Sequence, residues 1–121
     1  MLGDRLSNLI SIESLKLTAA ALLLSPYIPM LFMGEEYGEK APFLYFVSHG
    51  DRDLIEAVRK GRKAEFAAFH EIDGKEAPDP QAEETLKKSQ LNWDKRKTGE
   101  HEKLWLFHQK LLQMRKNVPA L

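Results

Sequence analysis

Four apolar residues in a row, Met30-Leu31-Phe32-Met33, sit between Pro29 and Gly34. The run does not alternate. That is the pattern of a short strand covered on both faces in a parallel sheet. Such a strand needs neighbours on both edges, because its buried amides and carbonyls must be paired. The rest of the sequence offers four or five helices and one weaker strand candidate, Phe43-Leu44-Tyr45-Phe46-Val47, which Ser48-His49-Gly50 cuts short. No parallel partner is evident. Either the run is not a strand in this chain, or the chain is a piece of something larger. The fold class expected is mainly α with one or two short strands.

The helices read from their boundaries. Leu6, Leu9 and Ile10 lie at helical spacing, with Asp4 as the candidate cap. A second helix runs from Ile12 to Leu24 with Ser11 as its cap, and Ser25-Pro26 stops it. Its end, Ala19–Leu24, is apolar on every face and so is expected to be buried on every face. Gly34 and Gly38 bracket a turn over Glu35-Glu36-Tyr37. Asp53 and Glu56 resemble a capping box, opening a helix to about His70 through Leu54, Val58, Phe66 and Phe69. Residues 72–80 form a polar loop with Asp73-Gly74 as a turn pair. Pro80 is expected at the first position of the next helix, with Glu83 and Glu84 near its start and Lys87 and Lys88 near its end. A last helix spans about Glu100–Lys116 through Leu104, Phe107, Leu111 and Leu112, closed by Pro119.

Charge and composition remove several function classes. Eighteen Lys and Arg balance eighteen Asp and Glu, so the basic clusters at 59–63 and 95–97 read as solvated surface and no nucleic-acid partner is expected. There is no cysteine, hence no disulfide or thiolate chemistry. Pro26 and Pro29 break the only long apolar stretch, so no membrane span is expected. The start Met1-Leu2-Gly3-Asp4-Arg5 lacks a basic segment followed by an apolar one, which points to a cytoplasmic protein. His101-Glu102-Lys103-Leu104-Trp105 lacks the second histidine of a zinc helix, and His101 and His108 lie seven apart. Exposed or capping histidines are the simpler reading, and neither metal nor cofactor is expected. Trp93 and Trp105 read as anchors of the last helix.

The segment Pro29-Met30-Leu31-Phe32-Met33-Gly34-Glu35-Glu36-Tyr37-Gly38 resembles the eighth strand and following loop of the alpha-amylase family of glycoside hydrolases. Its neighbours resemble the trehalohydrolase branch of that family, in order along essentially the whole chain. They are Gly3-Asp4-Arg5-Leu6-Ser7, the helix Leu15–Tyr27, Phe43–Gly50, Leu54–Phe66, Asp79-Pro80-Gln81, Ser89–Trp93 and Leu104–Leu121. The resemblance implies that residues 1–121 are a partial domain, the last βα units of a (β/α)8 barrel. It further implies an insertion over 40–78, between strand eight and the final helix. The implied activity of the parent enzyme is hydrolysis of the alpha-1,4-glucosidic bond next to the terminal trehalose of malto-oligosyltrehalose, releasing trehalose. The implied partners are malto-oligosyltrehalose or a related alpha-glucan and the remainder of the barrel. Members of the family use an aspartate, a glutamate and a second aspartate on strands four, five and seven, and no position here matches them. No catalytic residue is therefore expected in this chain, and alone it is expected to be inactive. Other readings are a stand-alone helical module binding a glycan or a protein, or a piece of another alpha-glucan hydrolase or branching enzyme.

Glu35, Glu36, Tyr37 and Arg5 are the candidate substrate-binding residues. Glu35 and Glu36 follow the strand candidate, on the side where barrel active sites sit. Adjacent carboxylates diverge and do not readily flank one bond, so they point to a wall of the cleft or to hydrogen bonding within the loop. Arg5 is a candidate to hold a carboxylate or a sugar hydroxyl, or is a surface residue. Tyr37, Phe43 and Tyr45 are candidates to stack on sugar rings, or to pack beneath the loop.

Overall fold

The structure, a computed structural model, describes residues 3–73 and 78–118, and the side chains of residues 68–73 lie outside that description. Its helices are α1 (Leu6–Leu9), α2 (Ile12–Leu23), α3 (Arg52–Asp73), α4 (Glu83–Lys88) and α5 (Gly99–Asn117), with 3-10 turns over Glu35–Tyr37 and Trp93–Lys97. No strand occurs among the described residues. Contacts divide the chain into two units. One holds residues 4–41 and 91–118, the other Gly3 with residues 42–90.

In the first unit α2 packs on α5. Ala19, Leu23 and Leu111 form the core, and Ala20, Leu24, Leu31 and Phe107 pack around them. Ser11 caps α2 as expected, its Oγ accepting the amide of Ser14 at 3.2 Å. Beyond Leu23, the guanidinium of Arg115 donates to the carbonyls of Leu23 (2.9 Å), Ser25 and Tyr27 (2.7 Å). One arginine on α5 thus takes up the carbonyls that the end of α2 leaves unsatisfied. His108 is buried rather than exposed or capping; its Nδ1–H donates to Leu104 at 3.0 Å, and its Nε2 is enclosed without a partner among the described residues.

Three expectations fail here for one reason. Met30–Met33 is not a strand, its Met30 and Met33 are 83% and 53% exposed rather than covered, and only one face of α2 (Leu15, Ala19, Leu23) is buried. Leu17 is left 73% exposed. An extended run becomes a strand only when another segment pairs its backbone, and an all-round apolar helix is enclosed only when something covers its far side. No described segment of this unit does either. Asp4 does not cap α1, whose N-cap is Arg5 without a side-chain bond to the helix amides.

In the second unit the Phe43–Val47 stretch forms no ladder. Its amides go singly to three different places: Phe43 to the carbonyl of Gly3 (2.8 Å), Leu44 to Ser89 Oγ (3.1 Å) and Val47 to the carbonyl of Pro80 (2.8 Å). Gly3 has φ +71°, and a Cβ there would fall 2.2 Å from the carbonyl oxygen of Phe43, so only glycine is accommodated. The cap of α3 is Asp51, whose Oδ1 accepts the amide of Leu54 at 2.7 Å, and not the Asp53–Glu56 box. The helix continues to Asp73, beyond the expected end at His70. Helix α4 starts at Glu83, three residues after Pro80. Asp79 accepts the amide of Gln81 and pairs with Arg59, which spends residues 79–81 on a turn. This unit runs to Gln90. The Asp73-Gly74 turn, the side chain of Phe69 and the closing Pro119 lie outside the described residues.

Candidate functional site

The loop from Gly34 to Ala41 gathers three of the four candidates and Arg5 reaches into it. Gly34 and Gly38 both adopt left-handed backbone (φ +84° and +71°). They allow a closed turn in which the amides of Gly38 and Glu39 donate to the carbonyls of Glu35 (3.0 Å) and Gly34 (2.9 Å). A Cβ on Gly34 would stand 2.8 Å from that of Glu39.

Glu39 organises this loop, and nothing in the sequence pattern singles it out. Its side chain is fully buried. One carboxylate oxygen accepts the amides of Lys40 (2.7 Å) and Ala41 (3.0 Å) and the ammonium of Lys95 (2.9 Å). The other accepts the amide of Asn92 (2.7 Å) and the hydroxyl of Tyr37 (3.1 Å). Burial alone pushes this carboxyl up. The backbone amide of Ala41, the Lys95 ammonium and the amides of Asn92 and Lys40 outweigh burial and hold it at about 2. The same enclosure, then the Glu39 charge, pushes the Tyr37 hydroxyl up to about 12. The carboxylate therefore binds residues 37–41 to residues 92–95.

The candidates divide by position. Tyr37 is fully enclosed: its hydroxyl is bonded to Glu39, its carbonyl accepts Nδ1–H of His101 at 2.8 Å, and its ring lies 5.7 Å from that of Trp93. Trp93 is in turn covered by Arg96, whose guanidinium also lies 5.7 Å over Trp105. Arg5 is buried as well. Its Nε donates to the carbonyl of Ala41 and Nη1 to that of Met33, with the guanidinium 5.2 Å over the Phe32 ring. Its Nη2 is buried without an acceptor among the described residues. Ser7 and Asn8 on α1 donate to the carbonyls of Glu39 and Lys40. Glu35 and Glu36 keep part of their surface open; Glu35 accepts the amide of Phe32 at 3.0 Å. Two partly open carboxylates, Glu35 and Glu36, thus belong to a loop whose buried polar groups are Arg5, Tyr37 and Glu39. No group of three or more metal-ligating side chains occurs among the described residues, and no helix there is long and apolar enough to cross a membrane.

No family model matches the sequence. Individual proteins do. Malto-oligosyltrehalose trehalohydrolases from Deinococcus radiodurans (40% identical over 120 residues), Mycobacterium tuberculosis (42% over 120) and Saccharolobus solfataricus (43% over 114) match 94 to 99% of this chain. A crystal structure from Salmonella typhimurium, described as of an alpha amylase, superposes with a TM-score of 0.85 at 46% identity over 97% of the chain. The chain spans about one fifth of the length of each of these proteins.

Proposed function

We propose that this section of a malto-oligosyltrehalose trehalohydrolase completes the barrel of a longer glycosidase and supplies one wall of its substrate cleft. The whole enzyme hydrolyses the alpha-1,4-glucosidic bond next to the terminal trehalose of malto-oligosyltrehalose and releases trehalose. One observation carries the reading: about 40% identity along nearly all of this chain to proteins of that name, five times its length.

The fold supports it. Met30–Met33 forms no strand ladder among the described residues, and Leu17, Ile28 and Met30 stand in solvent. Strand eight of a barrel and the helix before it carry such residues because neighbouring units cover them. The chemistry supports it too. Retaining hydrolysis needs two carboxyl groups on either side of one glycosidic bond, about 5 Å apart. Of the partly open carboxylates on this loop, Glu35 already holds a backbone amide and Glu36 is its chain neighbour. The acid and the nucleophile belong to the rest of the enzyme. Glu35 and Glu36 serve sugar hydroxyls from the loop, while Arg5 and Tyr37 fix its shape from beneath.

Trehalose release from malto-oligosyltrehalose tests this in two samples. The longer protein is expected to release trehalose and the 121-residue chain none. Release by the short chain, or an inactive longer protein, overturns the reading.

A further inference from the structure

We propose that the second unit carries a sugar-binding site of its own, in which Tyr45, Phe43 and Arg62 hold one pyranose ring of an alpha-glucan. A cavity of about 250 Å³ opens there between the Phe43–Tyr45 stretch and α3. That is just below the roughly 300 Å³ at which sites for drug-sized molecules begin, and suits one ring rather than a folded chain. Tyr45 and Phe43 remain 48% and 39% exposed at this cavity, whereas Phe66 is buried.

The aromatic surface is held in place. Arg62 lies 4.8 Å over the Tyr45 ring and 4.5 Å over that of Phe66. The backbone beneath Phe43 and Leu44 is fixed by Gly3 and Ser89. A ligand would therefore meet a preformed face and pay little ordering cost. The charges select what it is. Arg62 is paired with Glu65 at 2.5 Å, and Arg59, one turn earlier, is paired with both Glu56 and Asp79. The guanidinium that lines the cavity is thus already paired with a carboxylate, which weakens its draw on an anion. A flat apolar ring face beside a guanidinium–carboxylate pair instead matches a neutral polyol: C–H groups lie on the ring, and hydroxyls donate to Glu65 and accept from Arg62. A pyranose has that composition.

The choice of alpha-glucan rests on the function proposed above; the site itself does not. Its test is an NMR titration of the 121-residue chain with maltotriose, and with inorganic phosphate as the anionic control. Saturable shifts at Tyr45, Phe43 and Arg62 with maltotriose alone are expected. Tyr45→Ala should weaken binding at least tenfold and Tyr45→Phe should keep it; Arg62→Lys, which keeps the charge and loses the planar stack, should weaken it severalfold. Shifts confined to Glu35 and Glu36, saturable shifts with phosphate at Arg62, or no shifts in a chain whose α3 amides remain dispersed would each overturn the site. Binding here combined with a longer protein that releases no trehalose would leave this site standing and remove the hydrolase. The opposite pair of results would remove this site alone.

Discussion

Replacing Glu39 by glutamine should cost this chain most of the stability that its site loop contributes, and in a pH-dependent way. The carboxylate is enclosed and every neighbour is a donor: three amides, the Tyr37 hydroxyl and the Lys95 ammonium. A glutamine keeps the shape, removes the charge and turns an NH2 group toward donors that then lack an acceptor. The magnitude follows from linkage. A carboxyl held at about 2 when folded, against an ordinary 4.5, contributes about 3 kcal/mol at neutral pH. Because the folded value is the lower one, that contribution is fully present above about pH 5 and is lost as pH falls. By the same arithmetic it is below half at pH 3 and nearly gone at pH 2. The assay is urea unfolding followed by circular dichroism, for wild type and Glu39→Gln, from pH 7 to pH 2. A gap of about 3 kcal/mol at pH 7 that narrows through pH 3 is expected. A gap that is absent at pH 7, or unchanged at pH 3, would refute the claim that an ionised Glu39 orders the loop.

The other predictions concern the ends of that unit and its open face. Arg115→Met should destabilise by about 2 kcal/mol in the same unfolding assay, since three carbonyls past α2 lose a charged donor. Gly34→Ala should cost about 1–3 kcal/mol, from the left-handed backbone and the 2.8 Å approach to Glu39, and should also move the amide signals of residues 37–41. Leu17→Glu and Met30→Glu should change the stability of the 121-residue chain by less than about 0.5 kcal/mol, because both side chains lie in solvent. In the longer protein the same pair should cost several kcal/mol by thermal melting, as uncompensated charges in a core. Equal effects in the two proteins would refute barrel completion.

What the sequence declares and what it hides differ by the reach of the cause. Ser11 caps α2 and Pro26 follows its end, and both act within one helical turn, so both were legible. The Gly34–Gly38 turn was legible for the same reason: left-handed backbone is a local demand. Local signals also misled where two competed. Asp51 and Asp53 are both cap residues, and the one nearer the preceding chain caps α3. Pro80 could open a helix, but Arg59, twenty residues earlier, holds Asp79 in a turn. Met30–Met33 misled more deeply, because a strand is a relation between two segments and only one is present here. Glu39 was hidden because its meaning lies in Asn92 and Lys95, 53 and 56 residues further on. No periodicity marks a lone acid whose partners are that distant. The consequence is physical. Hydrogen bonds from Arg5, Ser7 and Asn8 and the Glu39 network hold residues 33–41 from within this unit, with no strand pairing. The loop therefore keeps its form while the run that precedes it forms no strand ladder. In a barrel that division is useful: strand pairing would place the loop, and Glu39 would already have shaped it.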